Sequence, residues 1–128
     1  MEIGVPRFRN CYSFMGLVKI KKAEKPWPIN YTNPVAALIQ RRRLQILVHS
    51  YLYYRLNESL IDDHTWSMWA KELVELQEKN PEISRQVIEY DNFKDFDAST
   101  GYNLYTSKCM RERAEKVLEY SRRHSQHD

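Results

Sequence analysis

A chain of 128 residues, 42% hydrophobic and 29% charged, has the size and balance of one globular domain. At that length roughly 65–70% of the unfolded surface can be buried, so a core forms without disulfide staples. The composition excludes a disordered chain, and a net charge of +3 permits a nucleic-acid partner without identifying one.

Residues 1–30 hold most of the prolines and read as an extended arm, in which FMGLVKI (14–20) suits one short edge strand. The segment MEIGVPRFRN lacks the basic start and apolar run of a signal peptide, and no apolar run approaches the ~20 residues that span a bilayer. Cys11 and Cys109 form no ligand-like pair and are read as free thiols in a reducing compartment. The expected location is the cytoplasm, a host's cytoplasm if the gene is phage-borne.

The helical body begins at Asn33, whose side chain can cap a helix, with Pro34 at the first position, where no amide donor is needed. Val35, Leu38, Ile39, Ile46, His49, Tyr53 and Leu56 recur at spacings of mostly three and four. Leu44, Leu47, Val48 and Tyr51 make a second apolar strip, so this helix should be contacted on two sides. Asn57-Glu58-Ser59 ends it. Asp62 or Asp63 then caps a second helix with the stripe Trp66, Trp69, Ala70, Leu73, Leu76 and Gln77.

Asn80-Pro81 stops that helix and starts a short third one bearing Ile83, Val87 and Tyr90. Residues 91–106 read as an ordered loop, pinned by aromatic and aliphatic side chains. Ser107 caps a last helix with Met110, Ala114, Val117 and Leu118 inward and a Glu119–Arg123 pair outward. The expected fold is all-α: a compact bundle of about four helices, one domain over 31–123, preceded by the arm and followed by a frayed tail at 124–128.

Several signals have a plainer reading. Asp95-Phe96-Asp97-Ala98-Ser99 resembles the start of a calcium loop, yet Thr100 and Thr106 stand where such a loop needs Gly and Glu; a turn stabilised by its own side chains is expected. His49 is read as a packed histidine. His64, in the first turn after Asp63, either meets a ligand or faces water. Arg41, Arg42 and Arg43 point about 100° apart on a helix, so a solvated face is the default and a phosphate contact the weaker option. Met68 points away from the aromatic stripe and hints at a protein interface.

The stretch HSYLYYRLNESLIDDHTWSMWAKELVELQEKNPEI, residues 49–83, carries Tyr51-Leu52-Tyr53-Tyr54, then Ile61 and Asp63, then Lys71-Glu72-Leu73 with Leu76, and Asn80-Pro81-Glu82. In that order it resembles the N-terminal Ia domain of NAD-dependent DNA ligases, which recognises the NMN half of NAD. The whole body from NPVAALIQRRR through FKDFDASTGYNL is similar in layout to small phage-type proteins related to these ligases. The resemblance implies that Tyr53, Tyr54 and Asp63 occupy site positions. It departs where Trp66 replaces a tyrosine and Ser67 a second aspartate. Tryptophan can still stack on a pyridinium ring. The lost carboxylate costs on the order of 1.5–3 kcal/mol, roughly ten- to hundredfold in affinity.

The ligases' Lys-x-Asp-Gly nucleophile motif does not occur in the chain, so covalent AMP transfer is not expected. Two cysteines cannot build the family's four-cysteine zinc element. The first expectation is therefore a non-catalytic interaction protein that requires no cofactor. Its partner would be a protein, such as a host NAD-using enzyme that it inhibits or recruits, in the manner of an anti-defence factor. The expected contact residues are Tyr53, Tyr54, Asp63, His64, Trp66, Ser67 and Met68. An NMN- or NAD-binding accessory module is the first alternative. A minor nucleic-acid-binding module using Arg41, Arg42 and Arg43 is the second.

Overall fold

The computed structural model describes residues 28–125, with helices α1 (Pro34–Arg55), α2 (Asp63–Lys79), α3 (Pro81–Gln86), α4 (Tyr90–Phe93) and α5 (Lys108–Ser125) and no strand among the described residues. The all-α expectation holds. The expected strand at 14–20 lies outside the described residues. The chain divides into two units: Asn30–Tyr105, which contains α1 to α4, and a second unit that contains α5. The division falls inside the 31–123 span read as one domain.

The helix starts are set by local chemistry. The Asn33 side-chain oxygen accepts from Val35 N at 2.8 Å and Ala36 N at 3.2 Å, satisfying two amides that have no intrahelical partner. Asp62, not Asp63, caps α2, its Oδ1 accepting from Thr65 N at 2.8 Å. Pro81 starts α3 directly after Asn80, the C-cap of α2. The turn from α1 runs through Asn57, a left-handed residue at φ 57°, which lets Glu58 N–H reach Leu52 O at 2.8 Å.

Within Asn30–Tyr105, α1 packs on α2 and α3, and α2 packs on α3. Ile39, Ile46, Leu47 and Leu52 of α1 are fully buried with Ala70 and Leu73 of α2, Val87 and Phe93. At about 1.5–3 kcal/mol for each large apolar side chain removed from water, these contacts are what hold the unit together. Both apolar strips of α1 are used, since Leu44 and Val48 are buried as well. Tyr53 departs from its expected packed place and is 51% exposed.

The arginine run departs furthest from expectation. Arg43 has no exposed surface. Its Nε donates to Gln77 Oε1 at 2.9 Å, Nη1 to Val87 O and Ile88 O at 3.0 and 2.9 Å, and Nη2 to Ser84 O and Oγ at 3.2 and 2.7 Å. Val87 ends α3 in an extended conformation, so the Val87 and Ile88 carbonyls have no helical partner; the guanidinium fork satisfies them and joins the Val87 amide at the Ser84 carbonyl. Burial lowers the Arg43 pKa from its ordinary value to about 10, with Glu89, Tyr31 and Tyr90 opposing that shift. Tyr31 Oη accepts from Ile88 N at 3.0 Å and closes the same turn. Arg43 is thus a core residue and not a nucleic-acid contact. Arg42 pairs with Glu72 at 2.7 Å and lies 5.8 Å from the Trp69 ring centroid, while Arg41 faces solvent.

In the unit containing α5, Ser107 caps the helix as expected, its Oγ accepting from Met110 N at 3.2 Å. Met110, Ala114 and Leu118 are buried on one face, and Arg123 meets Glu119 at 3.5 Å on the other. Cys109 is disulfide-bonded, which corrects the reading of free thiols; distance along the chain does not prevent two sulfurs from meeting once it folds. Cys11, the other cysteine, lies outside the described residues. No helix among the described residues is long and apolar enough to cross a membrane.

Candidate functional site

A cavity of about 200 Å³ opens in the Asn30–Tyr105 unit where the end of α1, the following turn, the start of α2 and the loop at 99–100 converge. Its walls include Tyr53, Tyr54, Asp63, Trp66 and Ser67, five of the seven expected contact residues. The α1 end supplies Tyr53 and Tyr54 in an edge-to-face pair with centroids 4.9 Å apart. The first turn of α2 supplies Asp63, Trp66 and Ser67, and i, i+3, i+4 spacing turns all three to one side.

His64 and Met68 do not line the cavity. His64 is exposed, and Met68 is 54% exposed on the far side of the same helix. The seven expected contact residues therefore divide into a concave set and a convex pair. Closeness along the chain does not bring them to one surface.

The cavity also takes in residues outside the expected contact set: His49, Ser50, Ser59, Leu60, Ile61, Asp62, Ser99 and Thr100. Asp62 matters most, because with Asp63 it restores a pair of carboxylates where Ser67 had appeared to leave one. Hydrogen bonds from Thr65, side chain and then backbone, hold the Asp62 carboxyl below its ordinary range, so it is an anion at neutral pH. The Asp62-Asp63 pair is its signal in the sequence.

Ser50 and Thr100 tie the walls together. Trp66 Nε1–H donates to Ser50 Oγ at 3.2 Å, and the ring meets Phe96 edge-on at 6.3 Å. Tyr54 Oη and Thr100 Oγ1 share a hydrogen bond of 3.0 Å across the rim. The loop is shaped by its own side chains, as expected: Asp97 Oδ1 accepts from Ser99 N and Oγ at 3.0 and 2.6 Å around a left-handed Ala98 at φ 72°. Asn92 fixes the loop's far end by exchanging two hydrogen bonds with the Tyr105 backbone, at 2.8 and 3.0 Å. Phe93 and Phe96, 5.2 Å apart, anchor it from below.

His49 is packed, as expected, its ring 5.7 Å from that of Trp69. It is also part of the cavity wall. Burial lowers its pKa from the ordinary value, so the neutral imidazole is the stable form, and its buried Nδ1 has no hydrogen-bond partner. Among the described residues, no group of three or more His, Cys, Asp and Glu side chains is arranged to hold a metal ion.

The site can therefore stack a flat ring against tyrosine or tryptophan and offer carboxylate and hydroxyl oxygens to donors on the same molecule. No protein-family model, curated protein or solved structure matches the chain.

Proposed function

We propose that this protein is a non-catalytic binding module whose pocket takes the nicotinamide–ribose end of a pyridine nucleotide, NMN or NAD. The observation that carries the reading is the convergence of Tyr53, Tyr54 and Trp66 with the Asp62 and Asp63 carboxylates on one cavity. A pyridinium ring is flat and positively charged, and it gains from both the aromatic faces and the acidic rim. The ribose hydroxyls are donors suited to the carboxylates. The ligase-like motif supports the same reading from sequence. Covalent AMP transfer is no part of this reading, because the sequence holds no Lys-x-Asp-Gly string.

Isothermal titration with NMN and NAD tests the proposal. Wild type is expected to bind weakly, and Tyr53→Ala and Asp63→Ala to abolish the signal. Ser67→Asp places a further carboxylate on the wall and should tighten binding by roughly tenfold, the worth of one charge-assisted hydrogen bond. A flat titration for wild type and Ser67→Asp alike sinks the reading.

A second reading, docking onto another protein such as an NAD-using enzyme, is favoured by the exposure of Tyr53, Tyr54 and Met68. Met68→Asp separates the two, because Met68 lies outside the cavity. It should remove a protein partner in pull-down and leave the nucleotide titration unchanged.

A further inference from the structure

We infer that the pocket selects a cationic pyridinium nucleoside and does not hold the phosphate of a nucleotide, an inference that rests on the ligand class proposed above. The charge inventory of the wall carries it. Asp62 and Asp63 are both part of that wall, and among the described residues no lysine or arginine is. The remaining titratable nitrogen base there, His49, is kept neutral by its burial and adds no positive charge. The cavity is thus negative at neutral pH and faced with aromatic rings, the environment that favours an organic cation.

Two nearby features are of kinds that attract phosphate, and neither is open to one here. The N-terminus of α2 opens beside the cavity, and free amides at a helix start attract anions. Here the Asp62 carboxylate already takes Thr65 N at 2.8 Å, so the anion at this helix start is the protein's own. Arg55, on the last turn of α1, is the other candidate. It is not part of the wall, and its guanidinium sits 5.0 Å from the centroid of the Tyr102 ring. A phosphate entering the pocket would meet carboxylates with no cation among the described wall residues to offset them, whereas a neutral dihydropyridine would lose the attraction that a pyridinium gains.

The test compares three probes on the full chain by isothermal titration in low salt: nicotinamide riboside, its reduced form, and NMN. The riboside should bind at least about tenfold tighter than either of the others, a gap of ~1.4 kcal/mol. Raising ionic strength from 0.01 M to 1 M shrinks the screening length from about 30 to about 3 Å and should narrow that gap. Asp62→Asn with Asp63→Asn should bring the three probes level; asparagine caps a helix as well as aspartate does, and the helical circular dichroism should be retained. NMN binding as tightly as the riboside, or the reduced riboside matching the oxidised one, overturns the inference and leaves the pyridine-nucleotide reading standing. No binding of any probe overturns that reading and the inference with it.

Discussion

Removing the Arg43 side chain should unfold the Asn30–Tyr105 unit more readily than any other single change in the arginine run. In Arg43→Ala the buried Val87 carbonyl and Ser84 Oγ lose the guanidinium as donor, and the Ser84 carbonyl keeps only the Val87 amide at 3.4 Å. Each orphaned buried acceptor costs about 1–3 kcal/mol, and the emptied stem leaves a space that water fills only in part. The expected loss is about 4 kcal/mol, within the range for breaking a buried charged network. At about 4–5 °C per kcal/mol for a domain of this size, the melting temperature should fall by roughly 15–20 °C. Arg43→Lys keeps the charge but not the fork and should lose about 2 kcal/mol. Arg41→Ala, on an exposed residue, should change stability by less than about 0.5 kcal/mol. Arg42→Ala, whose partner Glu72 has a side chain 40% exposed, should lose about 0.5–1 kcal/mol. Urea titration followed by circular dichroism at a helix wavelength reads all four. If Arg43→Ala is as stable as Arg41→Ala, or weakens binding to DNA or RNA without losing stability, the arginine is not a core clamp.

Asn33→Ala should cost about 1 kcal/mol by freeing the Val35 and Ala36 amides, while Asn33→Asp should stabilise slightly because the first turn of α1 holds no acidic residue. The folded-state pKa of His49 is lowered by burial, so below its unfolded value near 6.5 the unfolded chain binds the extra proton first. Stability should therefore be fully present above that pH and fall as pH drops through it; chemical denaturation at pH 7.5 and 5.5 should show the decline, and His49→Gln should flatten it. A Cβ on Gly101 would sit 2.1 Å from Ser50 Oγ and 2.8 Å from Ser50 Cβ, so Gly101→Ala should destabilise by about 1–3 kcal/mol, with partial rescue by Ser50→Gly in a double-mutant cycle. The Asn30–Tyr105 unit contains no cysteine, so reductant should leave amide protection of α1 and α2 unchanged in hydrogen exchange; its loss would show that the Cys109 disulfide supports this unit.

The helices that could be read from sequence were those with both a period and a cap. Asn33-Pro34, the Asp62-Asp63 pair and Asn80-Pro81 mark starts and stops through interactions made within four residues, so no tertiary knowledge is needed. Arg43 was misplaced for the opposite reason. Its partners lie more than thirty residues away, at 77, 84, 87 and 88, and local spacing says where its side chain points but not that unpaired carbonyls wait there. The short α4 escaped notice too. It begins after Glu89, a left-handed residue at φ 71°, in a stretch too brief to show any period.

The pocket divides along the same line, and the division bears on how the site works. Tyr53, Tyr54, Asp63, Trp66 and Ser67 come from two adjoining helix ends, so a motif read along the chain brings them together. Thr100, which closes the cavity, and its neighbour Gly101 come from a loop far along the chain from α1, and nothing local announces that the loop returns there. Yet Gly101 touches Ser50 so closely that no larger residue fits, and Thr100 holds the Tyr54 hydroxyl at 3.0 Å. Ser50 in turn fixes the Trp66 indole. The orientation of both aromatic walls therefore depends on the loop's being seated. A bound ring would find Tyr54 and Trp66 already oriented, with less side-chain entropy left to lose than if each turned freely. Displacing the loop, as Gly101→Ala does, should then weaken ligand binding even though Gly101 is not part of the cavity wall.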